Sequence, residues 1–389
     1  MNTPRQRTVY LTDFGAFFPN APVDNHAMEA VLGMVGGKPS RARRLVLARN
    51  GIKQRHYAID PQSRKATHTN ADMTAQAIRS ALHRAGVGLE QMACLACGTS
   101  SPDQLKPAHA HMVHGVLQAP PMEIGSITGV CTAGITAMKY AWMTVATGGA
   151  DLAVSTGSEL ASSFMRAEQF GAQPDAEPDI EALEKMPVLA FEEDFLRWML
   201  SDAAGAAVLQ STPGSRGLSL RIDWIDCVSY AGELPACMYS GANKDADGRL
   251  RGWREVSPEI AAKDRYFAVK QDARLLDEYI IEVCLTRALG AIAARRKLDA
   301  GTIDWFLPHY SSAYFRAPLY KALMDLGLQI PYDRWFTNLA SRGNVGSAMI
   351  YVILEELFYS GMLKKGQRLL CVVPESARFS VCYMHLTVV

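Results

Sequence analysis

Three turns of the sequence carry side chains that could act together in nucleophilic chemistry. Cys131 lies in TGVCTAGITAMK, where an apolar strand is predicted to lead into a helix. His309 directly follows the apolar run DWFLP, and Asn344 lies in the glycine-flanked turn SRGNVGS. Cysteine is a nucleophile as its thiolate, histidine is a common acid or base, and a carboxamide donates hydrogen bonds. Together these residue types predict a reactive cysteine supported by a base and an amide donor.

Each of these residues also has a plainer interpretation. A free cysteine is often a small core residue, and an asparagine beside glycine is often ordinary turn chemistry. The chemical interpretation is favoured because all three residues are predicted at strand-to-helix turns, where sites of α/β folds gather. We expect the amides and the dipole of the following helix to stabilise the Cys131 thiolate. Thr128, Gly129 and Gly134 are expected to keep that turn tight.

The elements that must position these turns alternate between strand and helix. This alternation is typical of an α/β fold with a largely parallel sheet. The order of elements predicts two similar βα halves, residues 1–215 with the cysteine and residues 216–389 with the histidine and asparagine. From hydrophobic periodicity, strands are predicted at 92–100, 122–128, 151–159, 205–212, 303–309, 367–376 and 378–389, and helices at 109–117, 133–149, 275–296, 313–327 and 346–361.

Residues 161–200 differ from this alternation. The segment GAQPDAEPDIEALEK is acidic and contains prolines, and it precedes FEEDFLRWML. This composition predicts an inserted loop followed by a short amphipathic helix. The insertion could be a surface cap, or it could be a lid or dimer contact that shapes a binding site. Residues 240–255 are predicted to form a second exposed loop.

Composition narrows the class of protein. The 389 residues are 49% hydrophobic and 20% charged with a formal net charge of +1, so no overall attraction to nucleic acid or membrane is expected. Neither a signal peptide nor a membrane span is predicted, which favours a cytoplasmic protein. Disulfides are not expected there. The CxxC of Cys94 and Cys97 and the histidines of PAHAHMVHG lack a full ligand set, so no metal site is expected.

The three turns, in this order, resemble the β-ketoacyl-ACP synthase III family of the thiolase superfamily. Cys131, His309 and the run Gly343-Asn344 with Gly346-Ser347-Ala348 are similar to its Cys-His-Asn triad. ARNGIKQRHYA (48–58) and SDAAGAAVL (201–209) resemble two further segments of that family. The resemblance spans essentially the whole chain. It implies a thiolase-like fold, with the two βα halves in a layered αβαβα arrangement.

The resemblance also implies an activity. Cys131 would be acylated by a thioester, with backbone N–H groups of Cys131 and Ala377 holding the oxyanion. His309 and Asn344 would stabilise the enolate of a malonyl- or 3-oxoacyl-carrier protein during a Claisen condensation, decarboxylative for malonyl. No tightly bound cofactor is implied. The implied partners are acyl carrier protein, coenzyme A or phosphopantetheine thioesters, and a second copy of the chain in a homodimer.

Three longer segments, at 37–58, 67–78 and 195–206, resemble ketosynthase III-type enzymes of dialkylresorcinol and aryl-polyene biosynthesis. Other positions depart from the wider family. Leu45 stands where the family has an aromatic residue that stacks on the adenine of coenzyme A, which favours a carrier-bound donor. Tyr-Ser-Ser follows His309 instead of Gln-Ala-Asn, Ser376-Ala377-Arg378 replaces a triple glycine, and Ala203 replaces a glycine.

Basic and hydroxyl side chains are candidates for binding the substrate carrier. Arg49 matches a cofactor-contacting arginine of the family, and Arg316, Lys321, Ser311 and Ser312 follow His309. Phosphate and acidic carriers favour such side chains. A solvated helix face is an equal alternative for the wider basic stretch. That stretch comprises Lys38, Arg41, Arg43, Arg44, Arg49, Lys53 and Arg55.

Two other functions share these residues. In the first, Cys131 passes its acyl group to an oxygen or nitrogen nucleophile without condensation; Asn344 argues against this, because it suits an enolate. In the second, the chain is a non-catalytic partner of an active ketosynthase. The presence of Cys131 argues against that role.

Overall fold

Strands and helices alternate through both halves of the chain, as predicted. A computed structural model describes residues 6–40, 43–170 and 196–389. Most of the proposed insertion, residues 171–195, lies outside the described residues, so its role as a cap, lid or dimer contact stays a prediction. Within the described residues, no helix is both long enough and apolar enough to cross a membrane.

Nine of the described strands form one mixed sheet, in which five of the eight strand pairings are antiparallel, so the prediction of a largely parallel sheet is wrong. Strands buried on both faces need continuous apolar or small residues, and every residue of Cys94–Thr99 and Leu152–Glu159 is buried. The strands are β1 (Tyr10–Phe17), β2 (Val23–Asp24), β3 (Gln54–Arg55), β4 (Cys94–Thr99), β5 (Glu123–Thr128), β6 (Leu152–Glu159), β7 (Ala203–Gln210), β8 (Leu220–Ser229), β9 (Met238–Tyr239), β10 (Ala242–Lys244), β11 (Leu250–Gly252), β12 (Lys270–Gln271), β13 (Trp305–Pro308), β14 (Arg368–Glu375) and β15 (Ser380–Val388).

The sheet order keeps the two halves of the chain apart. It runs β13-β14-β15-β8-β1-β7-β6-β4-β5. Strands of the first half occupy one end, strands of the second half occupy the other, and β1 meets β8 over only two residue pairs. In each group the outer strands are parallel and the inner ones antiparallel. The division at residue 215 stays a prediction.

The helices pack against the strands of the sheet. Asn70–Ala85, for example, begins at a capping box of Thr69 with Asp72 and ends at Gly86 in the left-handed conformation. The helices are α1 (Met28–Leu32), α2 (Arg43–Asn50), α3 (Asn70–Ala85), α4 (His109–Leu117), α5 (Thr132–Ala146), α6 (Ser162–Met165), α7 (Pro258–Lys263), α8 (Ala273–Ile281), α9 (Ala288–Arg296), α10 (Arg316–Asp325), α11 (Leu339–Arg342) and α12 (Met349–Tyr359).

Two helices form the central layer. α5 contacts β4, β5 and β6 from the first half as well as β14 and β15 from the second, and α12 packs against α5, β1 and β7. The buried face of α5 includes Ala133, Gly134, Ala137 and Ala141. These small side chains let the helix lie close to its neighbours, so the residue that precedes it is held between the two halves.

Some elements differ from those predicted. The helix predicted at 275–296 is confirmed, but a π-helical turn (Glu282–Arg287) separates α8 from α9. Residues 240–255 contain a two-stranded hairpin, β10 with β11, instead of a plain loop. β1 and β8 were not predicted.

Candidate active site

Cys131 lies at the junction of β5 and α5. The strand ends at Thr128, and Cys131 immediately precedes the first residue of the helix, with φ −61° and ψ −34°. The side chain is half-buried and lines a cavity of about 550 Å³. The position therefore matches the predicted nucleophile turn.

A carboxylate lies at the amino-terminal end of α5, next to Cys131. Oε2 of Glu375, the last residue of β14, accepts hydrogen bonds from the backbone N–H of Val130 (3.0 Å), the backbone N–H of Thr132 (3.0 Å) and the Thr132 hydroxyl (2.6 Å). The amides on both sides of Cys131 are therefore already paired with an anion. Only the backbone N–H of Cys131 itself lowers the pKa of its thiol, so the expectation that unpaired amides of this turn stabilise a thiolate is wrong for the amides of Val130 and Thr132.

The surroundings of Cys131 favour the neutral thiol. Burial raises the pKa of the Cys131 thiol well above its ordinary value, and the negative charges of Glu375 and Glu159 raise it further. At neutral pH the sulfur is therefore protonated, and it must lose its proton when it reacts.

His309 directly follows β13. Its backbone N–H donates to the carbonyl of Val372 (2.8 Å), which fixes the residue at the carboxyl end of the sheet. The side chain is 2% exposed, and its Nδ1 has no hydrogen-bond partner among the described residues. Burial lowers the pKa of His309 to about 4. The imidazole is therefore neutral at neutral pH and can donate through one N–H.

Asn344 is held by the backbone of a neighbouring segment. Its N–H donates to the carbonyl of Met199 (2.9 Å), and its carbonyl accepts from the N–H of Ser201 (2.9 Å). The side-chain Oδ1 accepts from the N–H of Gly346 (3.0 Å), so Nδ2 is the amide group with hydrogens still to donate. The geometry leaves this group able to donate, and the role of Asn344 as an amide donor stays a prediction.

The asparagine turn presses directly against the nucleophile helix. A Cβ atom added at Gly134 on α5 or at Gly157 on β6 would lie 2.1 Å from the carbonyl oxygen of Ser347. Only glycine leaves room for this approach. The turn that carries Asn344 and the helix that follows Cys131 are thus in backbone contact.

Cys131, His309 and Asn344 all line the same cavity. Three segments distant in sequence therefore bring the sulfur, the imidazole and the carboxamide to one site. The walls are mainly apolar and suit a hydrocarbon chain; they include Met199, Met238, Phe267, Ile280, Leu285 and Leu319. Among the described residues, no group of three or more histidine, cysteine, aspartate or glutamate side chains could hold a metal ion.

Two carboxylates near Cys131 were missed from the sequence. Glu159, which also lines the cavity, is bound by the Ser100 and Ser101 hydroxyls (2.6 and 2.8 Å) and by the N–H of Ser347 (3.2 Å). Burial raises the pKa of Glu159. Glu375 immediately precedes the three residues that replace the triple glycine, and that departure was its available signal.

The other predicted site residues are dispersed. Ser311 lines the cavity, whereas the hydroxyl of the buried Ser312 accepts a hydrogen bond from the N–H of Tyr314 (3.2 Å). Ser376 lines the cavity but Ala377 does not, and the carbonyl of Ala377 accepts from the N–H of Cys237 (2.8 Å). The oxyanion role of Ala377 stays a prediction.

The basic candidates lie outside the cavity lining. Arg316 is exposed, with its guanidinium carbon 4.3 Å from the centre of the Tyr332 ring. Lys321 is exposed and pairs with Asp325 at 2.5 Å, and Arg49 is half-buried on α2. Contact with a carrier at these three residues stays a prediction.

Part of the basic stretch is structural. Arg55 is fully buried and donates to the carbonyl of Trp198 and to Oδ1 of Asn25. Arg43 forms an ion pair with Glu29. Arg41 lies outside the described residues. Carrier contact through Arg55 is therefore excluded by its burial, while Lys38, Arg44 and Lys53 are exposed.

Comparison with known proteins agrees with this geometry. The family described as thiolase, N-terminal domain, matches residues 58–191, and the family described as 3-oxoacyl-[acyl-carrier-protein (ACP)] synthase III C terminal matches residues 293–373. A β-ketoacyl-[acyl-carrier-protein] synthase III of Symbiobacterium thermophilum is 26% identical and aligns over 94% of each chain. The chain belongs to the thiolase superfamily and is of the β-ketoacyl-ACP synthase III type.

Solved structures share the fold of this ketosynthase III-type chain. The tetronic acid condensing enzyme AbyA1 superposes with a TM-score of 0.75 at 22% identity, covering 98% of this chain and 100% of that one. The 3-oxoacyl-(acyl carrier protein) synthase III of Pseudomonas aeruginosa superposes with a TM-score of 0.71 at 18% identity, covering 98% of both. The predicted thiolase-like fold is confirmed, and the ketosynthase is an acyl-transferring condensing enzyme.

Proposed function

We propose that Cys131 carries an acyl group that the enzyme joins to an enolate in a Claisen condensation. One observation carries this proposal: Cys131, His309 and Asn344 come from three separate turns and line one mainly apolar cavity. The hydrocarbon chain of the acyl group would lie along the apolar walls.

In the first step the Cys131 sulfur attacks the carbonyl carbon of an acyl thioester. The carrier thiol leaves with the proton that the Cys131 thiol gives up, and an acyl-enzyme remains. The backbone N–H of Cys131 and that of Ala377 are the proposed donors to the tetrahedral oxyanion.

In the second step a malonyl thioester loses carbon dioxide, or a 3-oxoacyl thioester gives its α-proton to solvent water, to leave an enolate. Neutral His309 and the Nδ2 group of Asn344 donate hydrogen bonds to the enolate oxygen. The enolate carbon attacks the acyl carbonyl, the carbon–carbon bond forms, and the Cys131 thiolate leaves. The Cys131 thiolate released at the end of this step takes up a proton from solvent, which restores the thiol. A protonated imidazole is not required, which agrees with the lowered pKa of His309.

The carrier is proposed to be an acyl carrier protein, because the named relatives are β-ketoacyl-[acyl-carrier-protein] synthases III and because Leu45 packs against the core with no aromatic ring to offer to coenzyme A. Arg49, Arg316 and Lys321 are the proposed carrier contacts. Dialkylresorcinol, aryl-polyene or fatty-acid biosynthesis is the proposed pathway class, and the cytoplasm is the proposed location.

A homodimer is also proposed. β5 lies at one edge of the nine-stranded sheet, and its residues Glu123, Ser126 and Thr128 are exposed. A strand at a sheet edge offers unpaired backbone groups to a second chain.

Intact-mass spectrometry tests the proposal. After incubation with a set of acyl carrier proteins, the wild type should gain the mass of one acyl group, and Cys131→Ser should gain none. Asn344→Ala should still be acylated, but condensation with malonyl carrier should fall by about 100-fold or more, since one enolate donor is lost.

The products distinguish the alternatives. Carbon dioxide release with a 3-oxo product supports malonyl condensation, whereas an ester or amide formed without a new carbon–carbon bond would establish acyl transfer instead. Failure of the wild type to gain an acyl group on any carrier would contradict the proposal and favour a non-catalytic partner.

A further inference from the structure

Glu375 accepts hydrogen bonds from the residues on both sides of Cys131. The condensation proposed above gives this carboxylate no role. Its side chain is 8% exposed at the end of β14. Three of its hydrogen bonds go to Val130 and Thr132, the neighbours of Cys131 on either side. A strand of the second half therefore holds a turn of the first half, across 243 residues of sequence.

The Glu375 carboxylate lies at the amino-terminal end of α5, where a reactive thiolate would otherwise be stabilised. The first amides of a helix and the positive end of its dipole favour an anion. In this chain that anion is the carboxylate of Glu375. A second negative charge on the sulfur beside it would be repelled.

The backbone N–H of Cys131 itself lowers the pKa of the thiol, but less than burial and the two carboxylates raise it, and the other side chains around the sulfur do not offset the charge of Glu375. Glu159 at the end of β6 is a second carboxylate, and its effect on Cys131 has the same sign. His309 lines the cavity as a neutral imidazole, because burial lowers its pKa to about 4. Asn344 carries no charge. Among the described groups around Cys131, the charged ones are therefore negative.

We infer that Glu375 is a positioning residue that fixes the Cys131 turn and whose charge keeps the sulfur a thiol until an acyl thioester is bound. This inference rests on the proposed role of Cys131 as the acylated residue. The enzyme would thereby hold an unreactive sulfur while its cavity is empty, and would lose the thiol proton only during acyl transfer.

Alkylation by iodoacetamide as a function of pH tests the inference, because this reagent is small and uncharged and needs no turnover. The assay requires a Cys227→Ser background. Cys227 is half-buried, and a hydrogen bond from Cys382 lowers the pKa of its thiol, so it would compete for the reagent. Peptide mass mapping then assigns the alkylated residue.

In this background, the pH midpoint for Cys131 alkylation is expected above ~8.5, the value of a free cysteine. Glu375→Gln keeps the size and one hydrogen-bond acceptor but removes the charge. It should lower the midpoint by about one pH unit or more and speed alkylation at pH 7 by about tenfold. Glu159→Gln should cause a smaller shift in the same direction. The control Glu355→Gln, at an ion pair with Arg84 and away from the cavity lining, should stay within about twofold of the background rate.

Two results would overturn the inference. One is a midpoint at or below ~8.5 without any site variant, which would decide the matter even if Glu375→Gln did not fold. The other is a folded Glu375→Gln with an unchanged midpoint, since a purely structural carboxylate would leave the profile where it was. Neither result depends on condensation, so failure to form an acyl-enzyme would contradict the proposed function without affecting this test.

Discussion

Two buried histidines have the same electrostatic character but different surroundings. His109 begins α4 and His309 follows β13; each is 2% exposed, and each has an Nδ1 without a partner among the described residues. Burial lowers the pKa of both to about 4. Nε2 of His109 lies 3.3 Å from the Thr74 hydroxyl and 3.2 Å from the Ser158 hydroxyl, whereas His309 lines the cavity with Cys131.

A shifted pKa does not by itself identify a functional histidine. A shifted pKa reports burial, and burial is shared by packed and reactive histidines alike. Access to a cavity that also holds a nucleophile is what distinguishes His309. The pair therefore provides a matched test, in which one histidine serves as the control for the other.

The largest expected effect is on condensation. His309→Ala should still form an acyl-enzyme at Cys131 but should lose about 100-fold or more in condensation rate, because an enolate donor is removed. His109→Ala should keep the rate of its folded fraction within a few-fold of wild type. Acyl loading by mass spectrometry and product formation with malonyl carrier measure the two steps separately.

Comparable losses of condensation in both variants, with both proteins folded, would end the distinction. Loss of acyl loading in His309→Ala would instead move the role of His309 to the first step.

An intermediate effect is expected on acid stability. An unfolded histidine has a pKa near ~6.5, and both folded histidines titrate at about 4. The unfolded chain therefore binds more protons between these values. The contribution to stability is fully present above ~6.5 and is lost as the pH falls toward 4, by about 3 kcal/mol for each histidine.

Urea unfolding at pH 7.5 and pH 5 measures this contribution. The wild-type free energy of unfolding should fall more steeply with acid than that of either alanine variant, by about 2 kcal/mol for each histidine removed. The two alanine variants should change the pH dependence of stability by similar amounts, whereas they should differ in condensation rate. Equal slopes in wild type and variants would show that the buried imidazoles take up protons without cost.

The smallest expected effect concerns the carrier. Reversing the charge of the exposed Arg316 and Lys321 to glutamate should raise the KM for a carrier-bound substrate by about three- to tenfold with kcat unchanged, and the effect should shrink as salt is added. The matched control is Lys364→Glu with Lys365→Glu, two exposed lysines before the amino end of β14. Equal KM changes in both double variants would place the carrier elsewhere.

Much of the fold could be predicted because its signals are local. The helix at 109–117 and the strands at 122–128 and 151–159 were set by apolar runs and flanking glycines, and the structure agrees within about two residues at each end. β8 could also have been predicted: LRIDWIDCVS alternates apolar and polar residues along most of its length. The pairing of β8 with β15 could not be predicted, because the two strands are far apart in the sequence.

The candidate site could be predicted only in part. The positions of Cys131, His309 and Asn344 follow from turn signals and from family resemblance. The charge around the sulfur does not, because Glu375 reaches the turn through contacts between residues 243 positions apart. The helix end alone predicts a lowered pKa for the Cys131 thiol, whereas the pKa is raised in the structure. Long-range contacts decide the chemistry of a group whose location is locally encoded.

The contact of Gly134 and Gly157 with the Ser347 carbonyl limits how this enzyme can diversify. Because this contact is made by backbone atoms, no smaller side chain can relieve it. The spacing between the nucleophile helix and the asparagine turn should therefore change little among related enzymes. The cavity walls, such as Met199, Met238 and Phe267, are free of that constraint. New substrate ranges should therefore arise by exchange of wall residues around an unchanging centre.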